Sequence, residues 1–99
     1  MNISDFFGNN YLNTGSIEVI NQTVETGHDN AELNLWANRR VGDAHWLVTL
    51  ELYEKRETDE GWYQDTMSFM IDSDEKLINF VQNFAQNYFN EYFPFWEEE

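Results

Sequence analysis

Ninety-nine residues with 19 Asp and Glu against 5 Lys and Arg give a net charge of −14, on a chain that also holds 4 Trp, 5 Tyr, 8 Phe and no Cys. That length fits one domain. The missing cysteine excludes disulfides, thiol chemistry and Cys-based metal sites, and the acidity opposes direct phosphate contact with nucleic acid. A disordered acidic tail is excluded as well, because such segments lack the aromatic surface that this chain can bury.

Residues 1–15 mix Phe6, Phe7, Tyr11 and Leu12 with Gly8, Asn9, Asn10, Asn13 and Gly15, which predicts an N-terminal arm or short helix followed by a loop. From Ser16 to Glu25 the β-branched Ile17, Val19, Ile20 and Val24 favour a strand. Thr26 to Asn30 is turn chemistry. Ala31, Leu33, Leu35 and Ala37 then alternate with Glu32, Asn34, Trp36 and Asn38, the signature of a half-buried strand. Arg39 to Asp43 reads as a second turn. In the following strand, His45 to Glu54, Trp46, Val48, Leu50 and Leu52 share one face, with Leu47, Thr49, Glu51 and Tyr53 on the other. Beyond the charged connection Lys55 to Gly61, Trp62 to Ile71 reads as a fourth strand with Tyr63, Met67, Phe69 and Ile71 toward the core.

The end of the chain changes period. Asp72 with Glu75 three residues on has the form of a capping box. Leu77, Phe80, Val81, Phe84, Ala85, Tyr88 and Tyr92 follow at helical spacing until Pro94. The expected fold is α+β: an antiparallel four-stranded sheet over residues 16–71, a C-terminal helix over 72–93 packed on one face, and an acidic tail over 94–99.

Catalytic chemistry finds little support. His28 and His45 have no relay or ligand partner at motif spacing, and no phosphate loop, nucleophile elbow or calcium loop occurs. A carboxylate pair for glycoside hydrolysis is uninformative among nineteen acids, and so small a domain offers little depth for a cleft. Trp36, Tyr53 and Trp62 on the polar face could stack bases, but the basic groove such binding needs is missing. No enzyme activity, cofactor or metal is expected. No segment approaches the roughly 20 apolar residues of a membrane span. The opening Met1-Asn2-Ile3-Ser4-Asp5 has no signal-peptide character, so a soluble cytoplasmic protein is expected.

The charge is uneven. Residues 51–76 hold nine acids against three bases, and residues 77–99 hold four acids and no base. The densest run is Glu51, Glu54, Glu57, Asp59 and Glu60. In composition the chain resembles the small phage-encoded inhibitors that include DNA-mimic anti-CRISPR and anti-restriction proteins: short, cysteine-free, acidic and rich in aromatics. That class shares no common fold. The resemblance implies a non-enzymatic inhibitor, working in the cytoplasm of a bacterial host, that fills the nucleic-acid groove of a basic protein such as a defence nuclease. Its expected contacts are Glu51, Glu54, Glu57, Asp59, Glu60 and Asp65, with Trp62 and Tyr63 as the desolvated anchor. The alternative is an assembly module that forms a homodimer or larger oligomer through an aromatic surface, its acidity serving solubility.

Overall fold

The computed structural model describes residues 1–54 and 62–96. A short helix α1 (Ile3–Phe7) and a 3₁₀ turn (Gly8–Asn10) lead into five strands: β1 (Tyr11–Asn13), β2 (Ile17–Val24), β3 (Ala31–Arg40), β4 (Trp46–Glu54) and β5 (Trp62–Ile71). The chain ends in α2 (Asp74–Gln82), a π-helical turn (Phe84–Tyr88) and α3 (Phe89–Tyr92). The strands pair in sequence order as an antiparallel meander, and the architecture is α+β.

The sheet therefore has five strands where the sequence pattern yields four. The extra one, β1, has three residues, too few to display a period of two, and it pairs with β2 through Tyr11–Ile20, Leu12–Val19 and Asn13–Glu18. Its hairpin is closed by the Thr14 N–H donating to the Ile17 carbonyl at 3.0 Å, with Gly15 at φ +94°. A second difference lies at Arg39 and Arg40, which continue β3 instead of turning. They pair with Glu18 and Ile17, and the turn falls at Gly42, φ +97°.

The described helices cover one side of the sheet, their buried residues joining a single core with the inward side chains of the strands. The alternation places Leu33, Leu35 and Ala37 of β3 beside Val48, Leu50 and Leu52 of β4 on the covered side, all fully buried. Ile20 and Val24 extend this core on one flank and Met67, Phe69 and Ile71 on the other. The pairing of β4 with β5 passes from Leu52–Asp65 to Tyr53–Tyr63 and skips Gln64. This bulge changes the register of everything before it. Tyr63 consequently takes Tyr53 as its register partner, while Met67, Phe69 and Ile71 pair with Leu50, Val48 and Trp46.

The C-terminal helix is not one continuous α-helix. Its N-cap is Ser73, whose hydroxyl accepts the Lys76 N–H at 3.1 Å, one residue later than the Asp72 cap expected from sequence. Asp72 instead pairs with Lys76 at 2.9 Å, which holds its carboxyl below the ordinary range. At Asn83 the helix breaks: the side-chain amide turns back to the Asn79 carbonyl at 2.9 Å and to the Asn79 side-chain oxygen at 2.8 Å. The π turn that follows answers a packing demand. Phe80 and Phe84 are four residues apart and Phe84 and Phe89 five, so a wider turn is what keeps Phe89 and Phe93 on the buried side with Phe84. Phe80, Phe84, Tyr88 and Tyr92 then form a cluster of edge-on and tilted rings 5.0 to 6.5 Å apart. Beyond Pro94, Trp96 packs edge-on against Phe89 at 6.0 Å.

The β2–β3 turn abuts this end of the helix. Thr26, almost fully buried, donates to its own turn and receives the His28 N–H at 3.1 Å, and Gly27 adopts φ +81° against Ala85. A Cβ on Gly27 would meet the Ala85 Cβ at 3.5 Å, an ordinary contact, so the cost of Gly27→Ala comes from the left-handed backbone. We expect a loss of about 1–2 kcal/mol, read as a lower urea midpoint with an unchanged slope.

Candidate functional site

The uncovered side of the sheet presents its side chains in rows set by register. At one end lie Ile17 and Arg40, then Leu12, Val19, Asn38, Leu47 and Met70 across all five strands. Leu12, Ile17, Leu47 and Met70 are exposed there. The next row holds Trp36 and Thr49, the next Asn34 and Glu51, and the last Glu32 and Tyr53. One open surface thus grades from apolar to acidic along the strands.

The middle rows are tied together by side chains. The Asn21 amide donates to Asn34 Oδ1 at 3.1 Å, the Asn34 amide donates to Glu51 Oε1 at 3.2 Å, and the Trp36 indole N–H donates to the same oxygen at 2.9 Å. Trp36 and Glu51 are diagonal neighbours on adjacent strands, close enough for an indole to reach a carboxylate. Trp36 remains 43% exposed. The outward position of Trp36 is legible from the alternation in β3, whereas its bond to Glu51 depends on a register that no local pattern reveals.

The expected contact residues do not form one face. Glu51 lies on the open side. Glu54 pairs with Ala31, and Asp65 with the buried Leu52, so both stand on the helix side at the same end of the sheet. Asp65 Oδ1 accepts the N–H of Thr66 at 2.9 Å. Trp62 and Tyr63 begin β5 opposite Glu54 and Tyr53. Glu57, Asp59 and Glu60 lie outside the described residues. Six of the thirteen described acids gather at one end: Glu25 and Asp29 flank the β2–β3 turn, and Glu32, Glu51, Glu54 and Asp65 occupy neighbouring positions on β3, β4 and β5.

The described Lys and Arg side chains are all at the other end. Arg40 closes β3 beside Ile17, and Lys76 sits in the first turn of α2 with Asp72. Arg39 is enclosed. Its guanidinium binds Glu18 at 2.7 Å and Asp74 at 2.5 Å and lies 4.1 Å over the Trp46 ring. The Trp46 N–H also donates to Asp74, at 2.9 Å, and the Tyr11 hydroxyl to Glu18, at 2.6 Å. The strands β1 to β4 and the helix α2 are joined by this one network. Hydrogen bonding from Arg39, aided by Tyr11, holds the Glu18 carboxyl below its ordinary range despite burial. The Tyr11 phenol is raised, chiefly by its bond to Glu18. Desolvation opposes the charge on Arg39, but the two carboxylates outweigh it and raise its pKa. Its charge is neutralised where it stands. The cation end of the molecule is compensated; the acidic end has no described Lys or Arg.

Among the described residues, no group of three His, Cys, Asp or Glu is placed to hold a metal ion. His28 packs on the Phe89 ring at 4.7 Å, and His45 is exposed just before β4. No helix among them is long and apolar enough to cross a membrane. No protein-family model matches the chain, and no curated protein or solved structure is significantly similar to it.

Proposed function

We propose that this protein works by binding, without catalysis, as an acidic inhibitor that fills the nucleic-acid groove of a basic protein, with a defence nuclease as the target that its composition suggests. The observation that carries this reading is the segregation of charge: Glu25, Asp29, Glu32, Glu51, Glu54 and Asp65 share one end of the sheet, and the described Lys and Arg side chains lie at the other. A net charge of −14 without such polarity serves solubility alone; an end that carries six acids and no described Lys or Arg is steered toward a cationic cleft. The connection that follows β4 adds Glu57, Asp59 and Glu60 against Lys55 and Arg56 in sequence.

Against a panel of purified nucleases, the protein is expected to compete with DNA or guide RNA for one of them, binding at least tenfold more weakly at about 200 mM salt than at about 50 mM. Neutralising Glu54, Glu57, Asp59 and Glu60 together to Gln or Asn should leave the unfolding midpoint within about 0.5 kcal/mol per site. The association rate should fall by about an order of magnitude or more. Binding that ignores both salt and the neutralised hairpin removes the reading. The alternative, self-association through the open face, is favoured by the exposed Leu12, Leu47 and Met70, and it requires a mass that rises with concentration in light scattering.

A further inference from the structure

The open sheet face carries an arrangement that net charge alone does not call for. Trp36 and Glu51 are locked to each other and to Asn34, so neither has to be ordered when something binds. Both bonds to Glu51 fall on Oε1, and Oε2 takes no hydrogen bond from a described residue. The indole that bonds this carboxylate belongs to a residue that is 43% exposed. An aromatic face next to an oriented carboxylate oxygen suits a planar cation, which stacks on the ring and donates N–H to the oxygen. A guanidinium fits both demands better than an ammonium, because it is planar and more weakly hydrated.

We infer that the open face is the docking surface for an arginine-bearing protein, with Trp36 and Glu51 receiving one arginine side chain and the apolar row Leu12, Leu47 and Met70 covering the desolvated margin. This rests on the proposed reading of the protein as an acidic binder and names the element that gives it a fixed point. Charge complementarity selects this occupant. A second copy stacked on the same face would bring two chains of −14 together, and a nucleic acid would meet Glu32 and Glu51 with its own phosphates. An arginine-lined groove meets neither penalty.

The isotope-labelled 99-residue chain titrated with an oligoarginine peptide at about 150 mM salt tests this by NMR. The Trp36 indole N–H and the amides of β3 and β4 around it should shift at the lowest peptide concentrations, and an oligolysine peptide of equal length should bind this face several-fold more weakly. Glu51→Gln keeps an acceptor for the Trp36 and Asn34 donors, so it should fold like the parent and bind oligoarginine about fivefold to tenfold more weakly. Trp36→Ala should lose at least as much. Shifts confined to other acidic surfaces, with Trp36 silent, overturn the docking site and leave the acidic-binder reading standing. Failure of oligoarginine to bind anywhere removes both. Peptide-independent, concentration-dependent shifts of the same face, with slower tumbling, overturn the inference in favour of a second copy.

Discussion

Trp46→Ala is expected to leave the chain largely unfolded in the absence of denaturant. Trp46 is fully buried at the start of β4, opposite Ile71, with Arg39 stacked on its ring and its N–H on Asp74. Truncation removes one of the largest buried side chains of a small core and leaves a cavity, at a cost of about 3–5 kcal/mol for an aromatic. It also takes a donor from Asp74 and a stacking partner from Arg39, in the seam that joins the sheet to α2. Marginal domains are stable by about 5–15 kcal/mol, and one this short belongs at the lower end. Urea denaturation followed by far-UV and near-UV circular dichroism reads the effect. Trp46→Phe should stay folded and lose about 1–2 kcal/mol, since it keeps most of the volume and forfeits only the N–H bond and part of the ring. A folded Trp46→Ala protein with the parent's midpoint would mean that the seam contributes little.

The same residue shows what is legible from sequence. Trp46, Val48, Leu50 and Leu52 alternate with polar or exposed positions, and alternation of this strength admits one face assignment. The strand β3 is equally clear, and so is the outward placing of Trp36. The start of α2 is recoverable to within one residue because Asp72 and Ser73 both make plausible caps, and only the fold decides which takes the Lys76 N–H. Other elements carry no local signal. A three-residue strand such as β1 has no period. The π turn depends on Phe89 and Phe93 competing with Tyr88 and Tyr92 for the buried side, and a helical wheel drawn at 3.6 residues per turn chooses the tyrosines. The bulge at Gln64 shifts the strand register by one residue, which hydrophobicity does not mark.

The candidate site divides in the same way. Clustering of acids along residues 51–60 is plain in the sequence, but only register shows that Glu51 and Asp65 stand on opposite sides of the sheet while Glu32 joins Glu51. Arg39 is the clearest case of a residue that sequence misreads. Next to Arg40, Val41 and Gly42 it looks like a turn residue, and its partners Glu18 and Asp74 are 21 and 35 positions away. The buried carboxylate of Glu18 interrupts the apolar pattern of β2, and that interruption is the one local hint that an opposite charge must meet it.

Arg39→Met is therefore expected to be the second most damaging change, with a signature in pH. Glu18 and Arg39 side chains are 8% and 12% exposed, so removing the guanidinium strands a carboxylate in the interior, at about 3–5 kcal/mol near neutral pH. Asp74 suffers less, being 42% exposed and still bonded to Trp46. In the parent the folded state holds Glu18 below its unfolded pKa, so its contribution is present above the ordinary carboxylate range and is lost as pH falls through the depressed folded value. At the alkaline end Tyr11, raised in the folded state, adds stability below the ordinary phenol pKa of about 10 and loses it as pH rises past its folded value. Without Arg39 the sign at Glu18 reverses. Burial now raises its pKa, the folded state takes up a proton more readily than the unfolded chain, and acidification toward about pH 4–5 should narrow the gap between variant and parent. The double change Glu18→Leu with Arg39→Met removes both charges at once and should recover much of the loss, because an apolar pair of similar volume carries no desolvation penalty. Urea midpoints of the parent, Arg39→Met and the double variant, at neutral pH and near pH 4.5, separate these effects. An Arg39→Met protein as stable as the parent at both values would show that the network is dispensable, and a deficit unchanged by pH would show that Arg39 acts through its packing on Trp46 and not through the charge of Glu18.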